Sequence, residues 1–74
     1  MRFDAKELIG RAFDMTPEGV PDDASLENFE PWDSLGHVKI IMSVEEAVGR
    51  PLDTEEALQI VSVDDLRHLL ATIN

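Results

Sequence analysis

The sequence predicts an all-α protein, a small four-helix bundle with a long first loop and a short third helix. Two observations favour this fold class: apolar residues recur at helical spacing in three stretches, and strand signals are weak, with only 59–61 as a candidate. A third is the stretch 16–33, which contains three prolines and no helical period. Because 74 residues leave room for only one modest core, we expect a single domain spanning 1–74.

The first helix is predicted from Asp4 to Asp14, where one apolar stripe recurs every three to four positions. Asp4 followed by Glu7 predicts a capping box at its start, and Thr16-Pro17 is expected to end it. In the following loop, three bulky apolar residues recur at every third position and are expected to pin an ordered loop to the core through a 3₁₀ turn. They are Leu26, Phe29 and Trp32.

The second helix is predicted from Ser34 to Val48, with Asp33 as its N-cap and Gly49 as its C-terminal cap. Apolar residues cover much of its circumference, which predicts a central helix that contacts several neighbours.

A short third helix is predicted over Thr54–Leu58, capped by Asp53 or Thr54. The last helix is predicted to open at Ser62, whose partner in a capping box is Asp65. Its apolar stripe is expected to be buried and consists of Val63, Leu66, Leu69, Leu70 and Ile73.

The composition narrows the class of protein. Sixteen acidic residues against six basic ones give a formal net charge of −10, which argues against nucleic acid or an anionic membrane as partner. There is no cysteine, so disulfides and thiolate metal sites are excluded, and two histidines alone predict no metal site. No apolar run approaches the ~20 residues of a membrane-spanning helix, and the first ten residues lack the apolar core of a signal peptide. We therefore expect a monomeric, cytoplasmic protein.

The tetrapeptide Trp32-Asp33-Ser34-Leu35 stands where the acidic loop meets the second helix. A serine there lies at a helix N-terminus, where unpaired N–H groups and the helix dipole favour an anionic substituent. The motif resembles the Asp-Ser-Leu attachment site of acyl carrier proteins. The resemblance extends over nearly the whole chain. The residues that match fall in the same order as in the family, and they are Val38, Met42, Glu45-Glu46, Gly49 and the run 62–66.

The resemblance implies a carrier that is not itself an enzyme and has no catalytic residue. Ser34, flanked by Asp33 and Leu35, would bear 4'-phosphopantetheine, whose thiol holds an acyl or aminoacyl group as a thioester. The partners implied are a phosphopantetheinyl transferase, an acyl- or aminoacyl-loading ligase, and a downstream transferase or synthase. Docking to them is expected from residues around the serine and along the second helix, namely Trp32, His37, Val38, Lys39, Glu45 and Glu46.

An acyl pocket between the second and third helices is also implied. Its expected lining, with Met42 and Ile60 foremost, is Val38, Met42, Leu52, Ile60, Val61 and Leu66. From the residues alone, ordinary core packing explains this set equally well.

Two features of this sequence differ from those of housekeeping fatty-acid carriers. Their second helix is typically acidic in its first two turns, whereas this one has Gly36, His37 and Lys39 there, and Trp32 stands where a small residue is more usual. The resemblance is therefore closer to stand-alone carriers of specialised pathways. Residues 12–38 contain no Lys or Arg, and this negative field around Ser34 is expected to steer basic partner enzymes.

Two alternatives remain open. Ser34 is explained equally by helix capping alone, in a small acidic helical module that binds other proteins and has no prosthetic group. Ser34 with His37 three residues on also resembles a nucleophile and its base. A hydrolase would need an oxyanion hole and a water-excluding pocket as well, and a chain of this length shows no sign of them.

Overall fold

The computed structural model describes residues 3–73, the side chain of Ile73 excepted, so the predicted burial of Ile73 lies outside the described part. Four α-helices follow in order, α1 (Ala5–Ala12), α2 (Ser34–Val48), α3 (Thr54–Gln59) and α4 (Val63–Ile73), with a 3₁₀ turn at Pro17–Gly19. Within this range the all-α prediction is confirmed, and 59–61 forms no strand. No helix here is long and apolar enough to cross a membrane.

Helix α1 ends earlier than the sequence predicts. Asp14 adopts a left-handed conformation with φ of 60°, and the Met15 N–H donates back to the Gly10 carbonyl at 2.8 Å. This is a Schellman-type end, so the helix stops at Ala12, well before Pro17. At the start of α1, Asp4 is the N-cap as predicted. Its side chain accepts from the Lys6 N–H at 3.0 Å, rather than from the Glu7 N–H as in a capping box.

The other helix ends follow the predicted caps. Gly49, with φ of 77°, ends α2. Asp53 and Glu56 form a reciprocal capping box at the start of α3, and Ser62 accepts from the Asp65 N–H at 3.1 Å at the start of α4.

Glu56 is also held by Arg50 through two contacts of 3.1 and 2.9 Å. These hydrogen bonds lower the pKa of Glu56 below its usual 4.5.

The core lies where α1, α2 and α4 meet, and the long loop contributes to it. Fully buried side chains come from all three helices, from the loop and from the end of α3, and the largest are Trp32, Ile9, Ile40, Ile60, Leu66 and Leu70. Val20 and Ala24 of the loop are buried as well, a contribution the sequence did not reveal. Of the three predicted loop contacts, Trp32 is buried, Phe29 packs on Phe13 with ring centroids 6.0 Å apart, and Leu26 is exposed.

Backbone hydrogen bonds fix the loop against the segment before α4. The Leu26 N–H donates to Val61 at 2.9 Å, and the Val63 N–H donates to Ala24 at 3.0 Å. They flank an isolated antiparallel bridge between Ser25 and Ser62. The loop is therefore ordered, as predicted, but its 3₁₀ turn lies at Pro17–Gly19 and not at 26–32.

Candidate functional site

Ser34 is the first residue of α2, and its side chain is exposed. The helix is capped by the preceding residue, because the Gly36 N–H donates to Asp33 Oδ1 at 2.8 Å. Within residues 3–73 the Ser34 hydroxyl makes no hydrogen bond. Asp33, and not Ser34, therefore caps α2, and the Ser34 hydroxyl is free to be modified.

The other three serines of the chain are all engaged. Ser43 is buried and donates to the Leu8 carbonyl at 2.9 Å. Ser25 accepts from the Glu27 N–H at 3.2 Å, and Ser62 caps α4. Ser34 is therefore the one serine whose hydroxyl is both exposed and uncommitted in the described part of the chain.

Gly36 allows the end of the loop to approach the first turn of α2. A Cβ at this position would lie 2.1 Å from the Pro31 carbonyl oxygen and 2.9 Å from the Phe13 ring. Both distances are far inside van der Waals contact, so no side chain fits here. The sequence analysis named Gly36 among the positions where housekeeping carriers are typically acidic. The residue is buried, and its role is to let Pro31 and Phe13 pack.

Trp32 and His37 join the loop, α2 and α3. The Trp32 indole is only 1% exposed, and its Nε1–H donates to His37 Nδ1 at 3.3 Å. His37 Nε2 lies 3.1 Å from the Ala57 carbonyl oxygen of α3. Only a neutral imidazole protonated on Nε2 satisfies both bonds, a tautomer that follows from the network.

This arrangement corrects one predicted docking contact and restricts another. Trp32 is buried and cannot present its side chain to a partner, and His37 is half-buried with both ring nitrogens in use. The same geometry weighs against the nucleophile–base alternative, since the imidazole is held by Trp32 and Ala57 rather than by the Ser34 hydroxyl.

One face of α2 exposes large apolar side chains beside Ser34. Leu35, Val38 and Met42 are 65%, 51% and 62% exposed, although the sequence predicted an α2 surrounded by neighbours. On and after α3, Leu58 and Val61 are exposed too. Exposed apolar side chains clustered on one helix face are typical of a surface that binds another protein.

The predicted acyl-pocket residues are divided between core and surface. Ile60 and Leu66 are fully buried and Leu52 is half-buried, whereas Val38, Met42 and Val61 are exposed. Met42 borders a groove between α1 and α2, not the α2–α3 side that was predicted. The buried members belong to the core, and Met42 alone of the six borders one of the grooves described for residues 3–73. The acyl pocket between α2 and α3 stays a prediction.

The charged docking candidates have different surroundings. Lys39 and Glu46 are exposed. Glu45 is half-buried and its Oε2 accepts from the Leu52 N–H at 2.8 Å, which ties the end of α2 to the segment before α3. Glu45 therefore links two segments of the fold, and its docking role stays a prediction.

Acidic residues surround the serine on the loop side. Ser34 borders a surface depression whose other wall is the loop stretch 26–30, including Glu27 and Glu30. Nothing in the sequence pattern indicated this depression. Across the described residues, no cluster of three or more side chains could hold a metal ion.

Comparison of the chain with models of known protein families and with curated protein sequences returns no match.

Proposed function

We propose that this chain is an acyl carrier protein whose Ser34 Oγ bears 4'-phosphopantetheine through a phosphodiester. The observation that supports it most is the state of Ser34. Its hydroxyl is exposed and uncommitted at the start of a 15-residue helix, while Asp33 supplies the cap at 2.8 Å.

The surroundings of Ser34 fit an attached phosphate. The N-terminus of a long helix favours negative charge through its dipole and its unpaired N–H groups. Gly36 packs closely against Pro31 and Phe13, which holds the first turn of α2 against the loop and the end of α1. A substituent on Ser34 would therefore project from a fixed position into solvent.

When bound, the group supplies a thiol on a flexible tether, to which an acyl or aminoacyl cargo is joined as a thioester. The chain's own part is to hold and to present. Ser34 supplies the oxygen of attachment, Asp33 fixes the helix start, and the exposed face of Leu35, Val38 and Met42 offers apolar contacts to partner enzymes. Tethering raises the effective concentration of the cargo at each docked partner.

The partners proposed are a phosphopantetheinyl transferase, a loading ligase and a downstream transferase or synthase. The acidic loop around Ser34, with Glu27 and Glu30 at its side, favours partners with a basic face. Lys39 gives the second turn of α2 a positive charge, which favours a dedicated enzyme set over that of housekeeping fatty-acid synthesis.

The test is enzymatic loading followed by intact-mass measurement. The purified chain is incubated with coenzyme A and a promiscuous phosphopantetheinyl transferase, and we expect a gain of one phosphopantetheinyl group. Ser34→Ala should abolish the gain with almost unchanged helicity, because Asp33 retains the cap. Ser25→Ala is the matched control and should be modified like the parent chain.

Failure of the parent chain to gain mass, or modification of Ser34→Ala, would refute the carrier proposal. The alternative would then be a small acidic helical module that binds proteins through the exposed face of α2 and has no prosthetic group. Labelling of Ser34 by a fluorophosphonate probe would point instead to a hydrolase.

A further inference from the structure

A groove runs along the surface between α1 and α2, starting beside Ser34. Its first half is bordered by Phe13 and Leu35, and its second half by Arg11 and Met42. Ala12 and Lys39 border both halves, so the two halves adjoin at these residues. We call this feature the α1–α2 groove.

Two basic side chains within residues 3–73 form no ion pair with an acidic residue, and both border this groove. Lys6 lies 2.9 Å from Asp22, Arg50 lies 2.9 Å from Glu56, and Arg67 lies 3.3 Å from Asp64. Arg11 and Lys39, the remaining basic residues of this range, form no such ion pair. In a chain of net charge −10, two cations without an ion-pair partner beside one groove favour an anion there.

The rest of the groove is amphipathic. Leu35, Ala12 and Met42 provide apolar wall between the two ends. Glu46 borders the same half as Arg11 and Lys39, whereas Asp14 and Asp33 border the half nearer Ser34, together with Lys39. The half that Arg11 and Lys39 share therefore has more basic than acidic side chains, and a carboxylate is favoured there over the half nearer Ser34.

Resting on the proposed function, we infer that the α1–α2 groove receives an acyl cargo that ends in a carboxylate. The chain carbons of the cargo lie on Ala12 and Met42, and its carboxylate lies between the Arg11 guanidinium and the Lys39 ammonium. Arginine binds carboxylates through two parallel hydrogen bonds. A neutral acyl chain gains only the apolar contacts.

The distance suits a tether on Ser34. Met42 lies eight residues further along α2, about 12 Å at 1.5 Å per residue, which is within reach of an extended phosphopantetheine arm. This location differs from the α2–α3 pocket expected from the sequence, and Met42 borders it while remaining 62% exposed.

The experiment compares two cargoes of equal chain length. A promiscuous transferase loads the chain from glutaryl-coenzyme A or from pentanoyl-coenzyme A, so that only the terminal carboxylate differs. Intact mass first verifies loading at Ser34. Backbone amide NMR shifts and melting temperatures are then measured for both forms at low salt.

We expect the glutaryl form to shift the amides of Arg11, Ala12 and Lys39 and to melt about 1–5 °C above the pentanoyl form, as befits an exposed ion pair in a domain of this size. About 0.15 M salt should reduce the difference. Arg11→Gln and Lys39→Gln should each abolish most of it. Arg67→Gln, at an exposed position on α4, is the matched control and should preserve it.

Equal shifts and melting temperatures for the two cargoes, or glutaryl shifts located at His37 and Ala57, would overturn the groove assignment while loading at Ser34 upheld the carrier function. The assignment also falls if Arg11→Gln and Lys39→Gln slow loading but leave the cargo difference intact, since both would then be partner contacts. Absence of any loading at Ser34 would overturn both proposals together.

Discussion

Replacing His37 with phenylalanine tests whether the Trp32–His37–Ala57 connection stabilises the fold. The substitution keeps an aromatic ring of similar size but removes both ring nitrogens. The Trp32 Nε1–H, on an indole that is 1% exposed, then loses its acceptor at 3.3 Å. The Ala57 carbonyl loses its donor at 3.1 Å, although this group is only part-buried.

The expected loss follows from these two bonds. A buried donor left unsatisfied costs about 1–3 kcal/mol, and the long 3.3 Å bond puts Trp32 at the lower end of that range. With a smaller cost at Ala57, the total is about 2 kcal/mol. For a domain of 60–100 residues this lowers the melting temperature by roughly 8–16 °C.

The assay is thermal and urea unfolding followed by circular dichroism. His68→Phe is the matched control, because His68 is exposed on α4, and its effect should stay within about 0.5 kcal/mol. A double-mutant cycle with Trp32→Phe isolates the pair, and we expect a coupling of about 0.5–1.5 kcal/mol. The reasoning is refuted if His37→Phe costs no more than His68→Phe, or costs the same with and without Trp32.

Three further outcomes are expected. Helix propensity alone would make Gly36→Ala stabilising by about 1 kcal/mol. Because its Cβ would lie 2.1 Å from the Pro31 oxygen, we expect the substitution to destabilise the fold by about 1–3 kcal/mol instead. A rise in the urea midpoint would contradict the packing argument. The Lys6 hydrogen bond lowers the pKa of Asp22 below its usual 3.8. The ionised Asp22 therefore stabilises the fold above pH 3.8, and this stabilisation is lost as the pH falls through the lower pKa of the folded state. Asp22→Asn should therefore flatten the acid limb of the stability curve, and an unchanged limb would argue against the pair. Because the net charge is −10, raising salt from about 0.01 M to about 0.15 M should raise the melting temperature, whereas no change would mean that the charges are compensated locally.

Local signals in the sequence were sufficient for most helix boundaries. Asp33, Gly49 and Asp53 act on backbone groups within a few residues of themselves, so their effect can be read without knowing the fold. The end of α1 was less readable, because Asp14 adopts a positive φ that glycine would have signalled more clearly.

The sequence by itself determined the helix order, the ordered loop and Ser34 as the candidate residue, since all three depend on spacing and on neighbours along the chain. Only the tertiary structure decided which side chains are available. Trp32 is buried, and His37 and Glu45 form hydrogen bonds with other segments, whereas Leu35 and Met42 are exposed. These outcomes depend on how the helices and the loop pack against one another. The close approach at Gly36 and the groove that both Arg11 and Lys39 border involve residues from different elements. No periodicity within either element encodes such an arrangement.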